Sequence, residues 1–190
     1  GRPMPGHRKS PISEIGDGLS YVYHSPVVGG LILLSIMPFL FGLSINTLLP
    51  AFNRDVLDGG PDMLGWLMTG MGMGAIFGSL TLAKLGSLRN KGNWLIATGA
   101  IWGLAVALFA LTSWFYLSML IIALVGYVSA VNMSMNRSLV QLQVEQQMRG
   151  RIMSIDLMSH GLMPLGILPI GYIAEKVSVQ AGLATSGTIL

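Results

Sequence analysis

Residues 64–92 read LGWLMTGMGMGAIFGSLTLAKLGSLRNKG. The first twenty are apolar, uncharged and rich in glycine, and the rest form a short basic turn with Lys84, Arg89 and Lys91. Met63 to Ala83 is 21 residues without a charge. At about 1.5 Å per residue that is long enough for a helix to cross a bilayer. Gly70, Gly74 and Gly78 recur every four residues and so line one ridge of such a helix. A ridge without side chains lets a second helix approach closely, which is how helices associate in lipid. The stretch therefore predicts a membrane helix packed in a bundle and ending in a positively charged loop.

The rest of the chain agrees. Of its 190 residues 52% are hydrophobic and only 10% charged, and the mean hydropathy is +0.66. Soluble domains carry about 25% charged residues, and a soluble fold this small could not hide so much apolar surface. There are no cysteines, which excludes disulfides and thiolate metal sites. The net charge of +3 sits in short loops between apolar runs. That pattern sets orientation in a membrane better than it grips phosphates.

Residues 1–26 read as a basic tail and an amphipathic lead-in. Ile12, Ile15, Leu19 and Val22 recur at helical spacing with Glu14 and Asp17 on the other side, which fits a short helix at the membrane surface. Gly16 and Gly18 leave a plain loop as the alternative. Residues 27–190 read as an all-α transmembrane domain. Its expected spans are about 27–49, 63–83, 94–111, 115–135 and 154–174, with another starting at 181. Pro38 is expected to kink the first. Gly92 to Asn136 runs 45 residues without a charge, too long for one crossing. It divides near Thr112-Ser113-Trp114, where Trp114 and Tyr116 suit the interface. The chain opens on Gly1 and stops at Leu190 as it turns apolar again. Both ends read as cut, so a piece of a longer protein is expected.

Charge tests this layout. The tail, the Lys84–Lys91 turn and the Arg137–Arg151 segment hold nine of the eleven Lys and Arg. Five complete spans put all three segments on one side. The other side holds Arg54 and Lys176 with Asp55, Asp58, Asp62 and Glu175. The positive-inside rule makes the basic side, including the start of the chain, cytoplasmic.

Several local patterns have two readings. Gly72 to Gly78 mimics a dinucleotide loop, but such a loop needs a strand before it and a sheet around it, so helix packing is preferred. Asp156 and His160 lie four apart, on one helix face. They fit an intramembrane proton relay, or Asp156 pairs with Arg149 or Arg151, or meets a helix N-terminus. Asn46, Asn132 and Asn136 fit either interhelical hydrogen bonds or contact with a substrate. The 13 methionines fit apolar packing better than a copper site. No nucleophile elbow and no HExxH motif occurs. The basic turns lack interleaved aromatics for stacking on bases. No catalytic residue, metal, cofactor or nucleic-acid partner is expected.

A family resemblance rests on four pieces. They are Gly18-Leu19-x-Tyr21 with Ser25-Pro26-Val27; Gly78 through Leu82-Ala83-Lys84-Leu85-Gly86 to Lys91-Gly92; Met148-Arg149-Gly150-Arg151-Ile152-Met153-Ser154; and Gly161-Leu162-Met163-Pro164-Leu165-Gly166. Together they resemble the C-terminal half of a major facilitator superfamily transporter, of the bacterial enterobactin and macrolide exporter type. The resemblance covers almost the whole chain. It implies helices seven to eleven of twelve, with the twelfth beginning, and a missing N-terminal six-helix half as partner. It also implies a gating loop at Lys84, Arg89 and Lys91, with Arg149 and Arg151 closing the same side. Asn46, Met71, Asn132 and His160 become candidates for the substrate cavity. The implied activity is efflux of small, fairly hydrophobic compounds across the bacterial inner membrane by alternating access. A small non-transporting membrane scaffold or assembly protein is the alternative, and an intramembrane enzyme using Asp156 and His160 comes third.

Overall fold

The computed structural model describes residues 30, 34, 36–85, 91–143, 161 and 163–190. Among the described residues there are helices and no strand. A π-helical segment at Pro38–Gly42 leads into α1 (Ser44–Asp55). There follow α2 (Pro61–Leu85), α3 (Lys91–Ala110), α4 (Phe115–Gln143), α5 (Met163–Lys176) and α6 (Val179–Ile189). Among the described residues three stretches are long and apolar enough to cross a membrane, namely Pro61–Lys84, Gly92–Ala110 and Phe115–Leu142.

Local chemistry sets the ends. Pro61 opens α2, where its missing N–H costs nothing, and Asp62 meets the positive end of the helix dipole. Lys84 lies in the last turn, at the negative end. Between α1 and α2, Asn53 Nδ2 donates to the carbonyls of Gly59 (2.9 Å) and Gly60 (3.0 Å), and the Gly59 N–H returns to Asn53 O at 2.8 Å. Asp58 takes a left-handed φ of 50° inside this clamp, which a short polar residue tolerates. Between α3 and α4 the chain turns at 111–114. Thr112 Oγ1 bonds Phe109 O and Ser118 Oγ, both at 2.8 Å and buried. Trp114 and Tyr116 are exposed there, edge to face at 5.9 Å. Ser178 caps α6 by accepting from Ala181 N at 3.1 Å.

Two helices differ from the spans expected from hydropathy. α4 runs to Gln143 rather than stopping at 135, with Arg137 exposed on it. α1 continues through Pro50 to Asp55 rather than ending at 49. Hydropathy marks where apolar side chains stop, and a helix continues wherever its backbone bonds do. The part of the expected fifth span before residue 161 lies outside the described residues, as do the tail and lead-in.

In the bundle, α4 lies between α2 and α3. α3 packs next on α6, and α6 packs on α5 and α1. The core holds Leu49 and Phe52 of α1, Leu67 of α2, Trp102 and Phe109 of α3, Ile122 and Val125 of α4, and Leu183 of α6. Phe52 and Phe109 stack with centroids 4.4 Å apart. Large apolar side chains also cover the outside: Trp66, Ile76 and Phe77 on α2, Leu104 on α3, Leu120 on α4 and Leu168 on α5 are all at least 58% exposed. Such a surface is costly in water and natural against lipid.

Candidate functional site

Lipid is as apolar as a leucine side chain, so burial alone does not hold membrane helices together. The seams show what does. Between α2 and α4 the contact is backbone to backbone. A Cβ placed on Gly74 would collide with the Ala123 carbonyl, and one on Gly78 with the Tyr127 carbonyl. From the other side, one on Gly126 would collide with the Met71 carbonyl. Gly70 faces the flexible thioether of Met119, 3.1 Å from where its Cβ would be. Gly72, two residues from Gly74, has open space beside it. Two further seams repeat the device. Gly103 of α3 and Gly187 of α6 approach so closely that a Cβ on either would lie 2.5–2.6 Å from the other's carbonyl oxygen. Gly166 of α5 lies against the Leu40 carbonyl of the π-helical segment.

That segment is where Pro38 falls. Where a kink is expected the backbone forms a widened turn, closed by Leu43 N–H to Pro38 O at 3.1 Å. Widened turns leave carbonyls open to side chains. The Phe41 carbonyl accepts from Ser44 Oγ and from Ser186 Oγ of α6, and the two hydroxyls lie 2.8 Å apart. Both serines are fully buried. Two hydroxyl hydrogens thus serve three oxygen contacts and tie α1 to α6. The Trp102 ring fills the space next to Gly42, 2.6 Å from where its Cβ would be. Among the described residues the buried Trp102 Nε1–H has no hydrogen-bond acceptor, a cost of about 1–3 kcal/mol.

The α3–α4 seam is polar instead. Asn132 Nδ2 donates to Leu95 O and to Thr98 Oγ1, each at 2.9 Å. Asn132 is 3% exposed.

The cavity candidates do not converge. Asn132 has its amide on α3, and Met71 packs against the core from α2. Asn46 is exposed on α1 and its side chain makes no hydrogen bond among the described residues. A cleft of about 380 Å³ does border Asn132, with Met37, Pro38, Gly99 and Gly187 around it. Of the cations, Lys84 is exposed at the end of α2 and Lys91 begins α3. Arg89, Arg149, Arg151, Asp156 and His160 lie outside the described residues. At the opposite end of α2, Arg54 Nε donates to Asp55 Oδ1 at 2.7 Å. That bond holds the Asp55 carboxyl below its ordinary value.

Sequence reasoning did not single out Gly126, Gly103, Gly187, Thr98 or the Ser44–Ser186 pair. A lone glycine inside an apolar helix was the available signal for Gly126. Nothing local links Ser44 to Ser186, which are 142 residues apart.

A family model described as transmembrane secretion effector matches residues 8–190. The chain belongs to this family of major facilitator proteins. The chain is also 29% identical, over 150 residues, to the enterobactin exporter EntS of Escherichia coli O81 (strain ED1a). It matches the same exporter of Escherichia coli O139:H28 (strain E24377A / ETEC) to the same extent. Each match covers 79% of this chain but 36% of the relative, so the chain spans little more than a third of the length of the curated relatives it matches. No solved structure matches it.

Proposed function

We propose that this chain is the C-terminal half of an exporter of small, fairly hydrophobic compounds of the siderophore or drug type. It works by alternating access in the bacterial inner membrane, driven by an ion gradient. One observation carries the reading. A family of secretion effectors matches residues 8–190, and within that stretch α2, α3 and α4 are membrane-length helices. The two enterobactin exporters it resembles supply the substrate class. Their greater length supports a partner half before Gly1. The nine clustered cations support a cytoplasmic start and a cytoplasmic 84–91 turn.

In this reading the helices correspond to seven to eleven, with the twelfth beginning, and two six-helix halves rock about a central site. Lys84, Arg89, Lys91, Arg149 and Arg151 lie at the cytoplasmic gate. Asn46, Met71, Asn132 and His160 are the cavity candidates, with Asp156 and His160 as a proton relay. The glycine seams support rocking of whole helix groups, because backbones in contact move together. No covalent chemistry is involved.

The test is export from cells lacking their own siderophore exporter. The protein extended to the length of its relatives is expected to restore secretion of a catecholate siderophore, and residues 1–190 alone are not. Secretion by residues 1–190 alone would refute the half-transporter reading. Failure of the extended protein with siderophores and hydrophobic drugs alike would refute the exporter reading.

A further inference from the structure

The widened turn at Pro38–Gly42 is closed by Leu43 N–H to Pro38 O, five residues apart. Such a turn holds one residue more than an α turn closed four residues apart, and it is rare. Among the described residues, neighbours on three helices hold this one. Ser186 Oγ of α6 donates to the Phe41 carbonyl, as does Ser44 Oγ at the start of α1. Gly166 of α5 lies against the Leu40 carbonyl, and the Trp102 ring of α3 fills the space beside Gly42.

Two features make this clasp releasable. The first is the hydrogen count. Three oxygens are in mutual contact, with Ser44 Oγ 2.8 Å from Ser186 Oγ, and the two hydroxyls carry two hydrogens. Ser44 lies three residues from Phe41 and can serve its carbonyl alone. Withdrawal of Ser186 therefore strands no buried carbonyl, which would be the costly outcome. The second is Pro38. It has no N–H, so the chain before it can turn about the helix axis without breaking a bond at that nitrogen.

The chain before Pro38 borders a cavity. Met37 has helical φ and ψ of −55° and −49°. Leu34 and Met37 wall the cleft of about 380 Å³, with Gly99 of α3 and Asn132 of α4 opposite. Dropping one residue from the turn rotates what precedes it by about 100° and shifts it by about 1.5 Å. At a Cα radius of about 2.3 Å, that moves the Met37 backbone by about 4 Å.

We propose that the widened turn is a two-state joint latched by Ser186. In the wide state it holds Leu34 and Met37 in the wall of the cleft beside Asn132. When Ser186 withdraws, the turn tightens to α and carries both side chains out of that wall. The position of α6 thereby sets the width of the cleft, and whatever displaces α6 shifts the balance between the two states. The joint needs only the folded bundle and does not depend on what is transported.

The chain has no cysteine, so nitroxide labels on Met37→Cys and on the exposed Thr47→Cys report the turn between them. The measurement is their dipolar distance in the full chain in lipid nanodiscs. The doubly labelled parent is expected to give one distance. Ser186→Ala should add a second population, displaced by up to about 4 Å, in at least about a tenth of the molecules. Ser186→Thr keeps the hydroxyl and should retain the single distance. Ser44→Ala should retain it too, because Ser186 reaches the Phe41 carbonyl directly. Gly166→Ala would press a methyl group on the Leu40 carbonyl and should also populate the second distance. It tests the joint from α5 if Ser186→Ala does not fold. An unchanged single distance in Ser186→Ala, or in Gly166→Ala where that variant is the one that folds, would overturn the proposal. So would a second population as large in Ser186→Thr or Ser44→Ala as in Ser186→Ala.

Discussion

α4 meets α2 and α3 by opposite means. Toward α2 it presents Gly126 and the carbonyls of Ala123 and Tyr127, and α2 answers with Gly74, Gly78 and the Met71 carbonyl. Toward α3 it presents Asn132, which bonds Leu95 O and Thr98 Oγ1. The first seam gains dispersion along the whole contact and works only at backbone distance. The second is joined by one amide. The difference shows the two options open to helices in lipid, where apolar burial does not separate partner from solvent. A close seam has no tolerance for an added atom, whereas a polar seam tolerates volume and depends on one group. Among the described residues the α2–α3 boundary beside them holds a gap of about 220 Å³.

The largest effect should come from breaking the close seam outright. Gly126→Val would drive two methyl groups into α2 where the Met71 carbonyl lies. Overpacking of this kind costs about 1–3 kcal/mol or more. Unfolding in mixed micelles should show an early transition, with α2 becoming protease-accessible first. Asn132→Leu should cost less. It removes two hydrogen bonds and adds no clash against backbone, so at about 0.6 kcal/mol each, the average for such bonds in membranes, the expected loss is roughly 1 kcal/mol. A loss equal to that of Gly126→Val would erase the distinction between the seams.

The smallest effect belongs to the Arg54–Asp55 pair outside the bundle. The hydrogen bond from Arg54 lowers the Asp55 pKa. Its contribution is therefore present above the ordinary carboxylate range and lost as pH falls through it. Both groups are exposed and screened by solvent. Arg54→Gln should leave the melting temperature at pH 7 unmoved, and the melting curves of variant and parent should coincide from pH 7 to pH 4.

Much of α2 was legible in the sequence. The uncharged run from Met63 to Ala83, bounded by Asp62 and Lys84, marked its ends to within two residues. The four-residue spacing placed Gly70, Gly74 and Gly78 on one ridge. Thr112-Ser113-Trp114 marked the α3–α4 turn because an uncharged run of 45 residues had to break near its middle, and two adjacent polar residues followed by an interfacial tryptophan stand there. The choice of partner was not legible. Nothing in the glycine spacing says that the ridge faces α4 rather than α3, since neighbour order is set by packing across the bundle. Pro38 announced a distortion but not a widened turn, nor that Ser186 far along the chain bonds its Phe41 carbonyl. Asn132 read equally as a packing group or a substrate contact, because a sequence shows an amide without its acceptors. The full length of α4 was not legible, because Asn136 and Arg137 interrupt the apolar pattern without interrupting the helix.

Gly72 and Gly74 provide the most direct test of the close seam. They lie on the same helix, two residues apart, one facing open space and the other the Ala123 carbonyl. Alanine raises helix propensity equally at both, by up to about 1 kcal/mol. Thermal unfolding of each variant in lipid nanodiscs isolates the packing difference. Gly72→Ala should melt at or above the parent, and Gly74→Ala several degrees below it. Equal melting temperatures for the two would contradict the backbone seam between α2 and α4.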